Sequence, residues 1–286
     1  MKFISIDGPD VRLAARMRGK GRTVLLLHGF PDTHETWTGD AVPQDAVALE
    51  DRLVSAGFRT VALALRGYTP SGIPSSGDYS LRALTDDIVA ILDHLNVKRG
   101  LIVGHDWGAS AAYAVAALHP GRIERMVTLA IPPFPVLPSG PRERLARPHN
   151  LYLAWGRPSA WLLRRNRAAL VARLYSQWSP NSTFRPEHIE RVRDALSDHR
   201  QAYAAVAYYG AHFPKADRLA ILRPITVPTL TIYGEDEPAI RREAFAGALP
   251  YLGDGSRVLS IPGVGHWPHL EAAGQVGDLA TEWLSR

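Results

Sequence analysis

With 286 residues, 46% of them hydrophobic and 21% charged, the chain has the make-up of a globular protein able to bury a sizeable core. It contains no cysteine, which excludes disulfides, thiolate metal sites and cysteine nucleophiles. The net charge of +5 is carried by residues 134–221, where fourteen Lys/Arg face six Asp/Glu.

The start, "MKFISIDGPD", has no apolar stretch long enough for a signal peptide. No segment approaches the ~18 consecutive apolar residues of a membrane span, so a cytoplasmic protein without a membrane span is expected. Further along, "TVLLLHG" (23–29), "RTVALALRG" (59–67), "GLIVGHD" (100–106) and "MVTLAIP" (126–132) are short Val/Leu/Ile runs. Such runs suit strands buried on both faces of a parallel sheet. Helical patterns alternate with them over 43–57, over 80–96 with Ser80 as N-cap, and over the small residues following Trp107. This alternation predicts an α/β fold with a mostly parallel central sheet flanked by helices.

At "PPFPVLPSGP" (132–141) five prolines in ten residues break the rhythm. The chain then reads as helical to about Leu222, before strands return at 228–234 and 256–263 and a helix closes the chain. The expected organisation is core over 1–133, an inserted helical cap or lid over 134–221, and core again over 222–286. The arginines of the insertion alternate with apolar residues, as in "SAWLLRRNRAALVARLY". With no nucleic-acid motif beside them, they suit the solvated face of amphipathic helices, and no nucleic-acid partner is expected.

Ligands of open α/β sheets bind outside the carboxyl ends of the strands, and the chemistry-bearing residues here cluster at such ends. "GHDWG" (104–108) is a nucleophile-elbow pattern with Asp106 at its centre, where serine is usual. "HGFPD" (28–32), "GEDE" (234–237) and "GVGHWPHLE" (263–271) follow three other strands. The order nucleophile, second acid, histidine is that of a hydrolytic triad. His266 and its neighbour His269 are the candidate bases in the last of these loops. His28 and His105 belong to motif turns and orient backbone, while His34, His119, His188 and His199 read as surface residues in polar contexts.

The motifs "HGFPD", "RGY" (66–68), "GHDWGA" and "GVGH" resemble those of the soluble epoxide hydrolase group of α/β-hydrolases, over nearly the whole chain. The resemblance implies hydrolysis of a small apolar epoxide to a vicinal diol, with water as co-substrate and no metal or organic cofactor. Asp106 would form a covalent alkyl ester that water activated by His266 cleaves. Carboxylate attack on an sp³ carbon leaves an ester that water can open, whereas serine would leave an ether. The family places the third triad member three residues after the glycine ending its strand, which counts to Glu237, with Asp236 the alternative. Backbone N–H groups of Phe30 and Trp107 would form the oxyanion hole, their rings walling the pocket. Tyr152 and Tyr209 match two lid tyrosines that would contact substrate and protonate the opening epoxide. Tyr208, adjacent to Tyr209, cannot share its helix face and reads as packed. Two departures stand out: Ala207 replaces an asparagine, and Ala64 an aspartate. A haloalkane dehalogenase, using Asp106 identically, and a non-catalytic ligand-binding protein are the rival readings. Either a monomer or a homodimer fits.

Overall fold

The computed structural model describes residues 2–211 and 214–286. Among these, eight strands form one sheet: β1 (Lys2–Asp7), β2 (Arg12–Gly19), β3 (Thr23–Leu27), β4 (Arg59–Ala64), β5 (Gly100–His105), β6 (Ile123–Leu129), β7 (Thr229–Gly234) and β8 (Arg257–Ile261). They lie in the order β1-β2-β4-β3-β5-β6-β7-β8. From β4 to β8 all neighbours are parallel, and β1 and β2 join as an antiparallel hairpin at one edge.

Helices α1 (Leu49–Ser55), α2 (Leu81–His94) and α3 (Trp107–Leu118) connect the central strands. Between β6 and β7 lie α4 (Pro141–Ala146), α5 (His149–Tyr152), α6 (Arg157–Trp178), α7 (Pro186–Ser197), α8 (His199–Gly210) and α9 (Lys215–Ile221). The chain then adds α10 (Ala239–Ala246), α11 (Pro268–Glu271) and α12 (Ala273–Ser285). No helix among the described residues is long and apolar enough to cross a membrane.

The apolar runs work because each strand feeds two cores. In β3, Val24 and Leu26 join Leu49 and Leu53 of α1 and Val276, Ala280 and Trp283 of α12 on one face. Leu25 and Leu27 point the other way, to a larger core with Leu84, Ile88 and Ile91 of α2 and the alanines of α3. Ser80 caps α2 by accepting from Ala83 N at 3.3 Å. The helix expected over 43–57 is shorter: the Pro43–Ala46 stretch is a turn, and α1 begins at Leu49. The α6 helix breaks at Arg165–Ala168, where Asn166, Arg167 and Ala168 take left-handed dihedrals.

The β1–β2 hairpin has no apolar run to announce it. Its edge strand exposes Lys2 and Phe3, and β2 buries a charged residue, Arg16, 2% exposed. Arg16 is held there by Glu50 at 2.8 Å and Glu35 at 2.9 Å. The "RGY" motif is likewise structural in the first instance. Arg66 makes a two-pronged bond to Asp87, both contacts 2.7 Å, and donates to the carbonyls of Asp78 and Ala83. That locks the loop after β4 onto α2 and leaves the Arg66 carbonyl free to accept from Tyr208 Oη at 2.7 Å.

Candidate active site

Asp106 sits between β5 and α3 with φ +50° and ψ −114°, a conformation that costs a non-glycine residue of order 1–3 kcal/mol. The surroundings hold it there by close approach. A Cβ at Gly108 would lie 2.0 Å from the Leu27 carbonyl, and one at Gly29 would lie 2.3 Å from Asp106 Cβ. The strain presents the carboxylate at the carboxyl end of the central strands, next to the loop after β3. There the Phe30 N–H donates to Asp106 Oδ1 at 2.9 Å.

The loop after β8 brings His266 to the same point. Its Nε2 stands 3.3 Å from Asp106 Oδ2 in a geometry that makes no hydrogen bond, so this nitrogen is buried without a partner. Its Nδ1 donates to Glu237 Oε1 at 2.8 Å, which places the remaining lone pair or proton of the ring toward Asp106. Asp236, one residue earlier in the tight turn after β7, points away and accepts from Asn181 Nδ2 at 2.8 Å. The His266 backbone is fixed at both ends: its N–H donates to Ser179 Oγ and Trp178 O, and its carbonyl meets His105 Nε2 at 2.7 Å.

Burial alone would discharge all three groups, but their mutual contacts win. Desolvation opposes the His266 imidazolium, yet the close negative charge of Asp106 and the hydrogen bond and charge of Glu237 raise its pKa above the ordinary value. Desolvation likewise opposes ionisation of Asp106 and Glu237; His266 nevertheless holds Asp106 well below the usual carboxylate range and Glu237 at about 2. All three shifts favour the charged forms, two carboxylates around an imidazolium.

Above Asp106 lies a cavity of about 250 Å³, lined by Trp107, Ser110, Ile131, Tyr209 and several polar residues considered below. The Tyr209 ring stands edge-on to Phe30 and Trp107, with centroids 5.3 Å from each. Its hydroxyl is buried with no hydrogen-bond partner among the described residues. Burial first, and then the Asp106 charge, push its pKa well above 10, so the phenol keeps its proton. Tyr208 faces the other way, to the Arg66 carbonyl.

Tyr152 is not brought to this cavity. It belongs to the single-turn α5, whose Asn150 does line the cavity. A residue two positions on projects from another face, and Tyr152 packs against the main core, half-buried. Phe30 contributes its backbone amide and ring packing, and its side chain is not among the cavity-lining groups.

Several residues that shape the site carry no motif. Glu271 holds the histidine loop, accepting from Gly265 N at 2.8 Å and Trp267 N at 2.7 Å. It also accepts from Ser179 Oγ at 2.7 Å and from Ser182, which ties the loop to the end of α6. The only hint in the sequence is an acid a few residues after His266 at the start of a helix. His188 and His34, read above as surface residues, are buried; His188 is 3.5 Å from the buried Asp32 of "HGFPD", whose other oxygen accepts from Tyr175 Oη. Arg147, assigned with its neighbours to a solvated face, is also buried, whereas Arg157, Arg164 and Arg165 are exposed. No group of three or more His, Asp or Glu side chains among the described residues could hold a metal ion.

Residues 22–273 match the family described as alpha/beta hydrolase fold. The chain is 29% identical to an epoxide hydrolase of Caballeronia sordidicola, the match covering 99% of this chain and 94% of the other. It is 25% identical to the AB hydrolase superfamily protein YfhM of Bacillus subtilis, over 99% and 97% of the two chains. The crystal structure of an epoxide hydrolase from Vigna radiata superposes with a TM-score of 0.79, covering 99% of this chain and 98% of that one. At 22% identity, this likeness speaks to the fold alone.

Proposed function

Because the chain belongs to the alpha/beta hydrolase fold family and is a hydrolase, we propose that it opens epoxides to vicinal diols through an alkyl ester on Asp106. One observation carries this reading: the strained elbow presents a carboxylate, backed by His266 and facing the unpartnered hydroxyl of Tyr209. An epoxide hydrolase among the full-length relatives supports it.

In the first half-reaction Asp106 Oδ2 attacks a ring carbon from the back, and the C–O bond of the epoxide breaks. Oδ1, already held by the Phe30 amide, becomes the ester carbonyl oxygen. The Tyr209 hydroxyl donates to the departing ring oxygen, so no free alkoxide builds up. Esterification removes the Asp106 charge, and with it one of the two carboxylates that stabilise the His266 imidazolium. The imidazolium proton is then free to restore the Tyr209 phenol left deprotonated by its donation, and neutral Nε2 becomes the base for the second half-reaction.

Water activated by His266 attacks the Asp106 carbonyl carbon. The oxyanion on Oδ1 is met by the N–H groups of Phe30 and Trp107, and collapse expels the diol and restores the carboxylate. Glu237 keeps the His266 tautomer and balances its charge throughout. The helices over 134–221 act as a cap that carries Tyr209 and covers the reacting centre.

Diol formation from styrene-type and aliphatic epoxides, run beside a halide-release assay with haloalkanes, tests the reaction class. Diol without halide is expected, and halide without diol would assign the site to dehalogenation. Within the same scheme, Glu237→Gln should slow ester hydrolysis on the order of 10²–10⁴-fold, because the imidazole loses its counter-charge and the amide can hold it in the wrong tautomer. Asp236→Asn should leave that step near normal. Stopped-flow measurement of the hydrolysis phase checks both, and a reversed pattern would move the role to Asp236.

A further inference from the structure

The wall of the cavity over Asp106 is only partly apolar: beside Trp107, Ile131, Leu137 and Pro138 it carries charged groups. Arg147, from the link between α4 and α5, and Arg241, from α10, both line it, together with Glu143 and Asn150. Both arginines are deeply buried, 7% and 1% exposed. Guanidinium groups removed from water are costly unless paired and hydrogen-bonded.

The pairing available among the described residues is incomplete. Arg241 Nη2 donates to the Ala130 carbonyl at 3.2 Å, but its Nε is buried with no partner. Its Nη1 faces Glu143 Oε1 at 3.8 Å, beyond hydrogen-bond reach, and Glu143 Oε2 is also buried without a partner. Arg147 spends its Nε on His149 Nε2 at 3.2 Å. Burial first, and then the neighbouring Arg147 charge, lower the Arg241 pKa to about 10. Burial also raises the Glu143 pKa, and the other carboxylates near Arg241, Glu237 and Asp106, are already engaged with His266.

From this geometry we propose that Arg147 and Arg241 form a carboxylate clamp, and that the substrate of Asp106 is a small epoxide bearing a carboxylate. The substrate class rests on the reading of Asp106 as a nucleophile toward epoxides; the clamp itself does not. Glu143 competes for the same guanidinium and is displaced, taking up a proton or turning outward with α4, when the substrate carboxylate arrives. At about 250 Å³ the cavity is smaller than most drug-sized pockets, which favours a compact acid such as oxirane-2-carboxylate. Anchoring the acid at the arginines leaves the ring carbons to Asp106 and the ring oxygen to Tyr209.

Calorimetric titration with cyclopropanecarboxylate and cyclopropanecarboxamide separates the clamp from the chemistry, since neither probe has an epoxide to open. The carboxylate should bind about 10- to 100-fold tighter than the amide, the range for charge-assisted hydrogen bonds. Arg241→Met and Arg147→Met should each erase most of that preference. Glu143→Gln should instead strengthen carboxylate binding, an effect that a purely structural ion pair would not give. Kinetics with oxirane-2-carboxylate and its amide should show the same preference, expressed mainly in KM.

Equal binding of the two cyclopropane probes to wild type and to Glu143→Gln would overturn the clamp, whatever the arginine variants do to folding. Arginine variants that slow both epoxides equally, without any carboxylate preference in the wild type, would also overturn it. They would place the arginines at the developing alkoxide instead. Selective carboxylate binding with no turnover of either epoxide would uphold the clamp and overturn the epoxide reading.

Discussion

His266→Gln is expected to accumulate the alkyl-enzyme and stop there. In the proposed scheme the first half-reaction uses the Asp106 carboxylate, the Phe30 amide and the Tyr209 hydroxyl, none of which the substitution removes. The second needs a base at Nε2, and glutamine has none at neutral pH. Loss of a positioned general base costs about 10²–10⁴-fold, so multiple turnover should be nearly abolished while a stoichiometric burst survives. The backbone contacts to Ser179, Trp178 and His105 do not depend on the imidazole and should hold the loop in place. Intact-protein mass spectrometry after incubation with epoxide should show one added substrate mass. An unmodified protein, or one turning over normally, would remove His266 from the role of base.

The wild-type enzyme should show a matching pH signature. Asp106, held well below the usual carboxylate range, remains a nucleophile at mildly acid pH. His266 must be neutral to activate water, and in the ester its imidazolium keeps only Glu237 as a stabilising carboxylate. Lowering pH therefore slows hydrolysis before alkylation, and quenched samples should contain more alkyl-enzyme at acid than at neutral pH.

Tyr209→Phe is expected to act on the other half-reaction. Without a proton donor, ring opening must expel an alkoxide into a buried site, and alkylation should slow about 10²–10⁴-fold. The ring contacts with Phe30 and Trp107 survive the substitution, and the lost hydroxyl has no partner whose hydrogen bond would be broken. Folding stability should accordingly be unchanged or slightly improved. Tyr152→Phe should be close to silent, because Tyr152 packs away from the cavity. Single-turnover alkylation rates of the two variants separate these outcomes. A large defect in Tyr152→Phe with a normal Tyr209→Phe would require a different proton donor.

The contrast between these tyrosines shows what the sequence can and cannot disclose. Asp106 and His266 lie in short glycine-flanked turns directly after apolar strands, and parallel strands must deliver such turns to one edge. Counting from Gly234 reaches Glu237 because a tight turn has little freedom of length. Tyr209 and Tyr208 are adjacent on a twelve-residue helix, so one facing inward forces the other away. Tyr152 sits in a one-turn helix between Pro148 and a further turn at Leu153–Trp155, where local pattern does not set the phase. Arg147, Glu143 and Arg241 escape for a related reason. Each looks like an ordinary surface charge until α4, α10 and the elbow are packed together. The β1–β2 hairpin is hidden similarly, its buried Arg16 paid for by Glu35 and Glu50, distant in sequence.

The covalent ester on Asp106 is the central claim, and a single turnover in heavy-oxygen water tests it most directly. With enzyme in excess over epoxide, water attacks the ester carbonyl, so one heavy oxygen should enter the Asp106 carboxylate and the first diol should carry none. Mass analysis of the peptide containing Asp106, beside that of the diol, reads both. Label confined to the diol, with an unlabelled Asp106 peptide, would mean that water attacks the epoxide directly and would contradict the account.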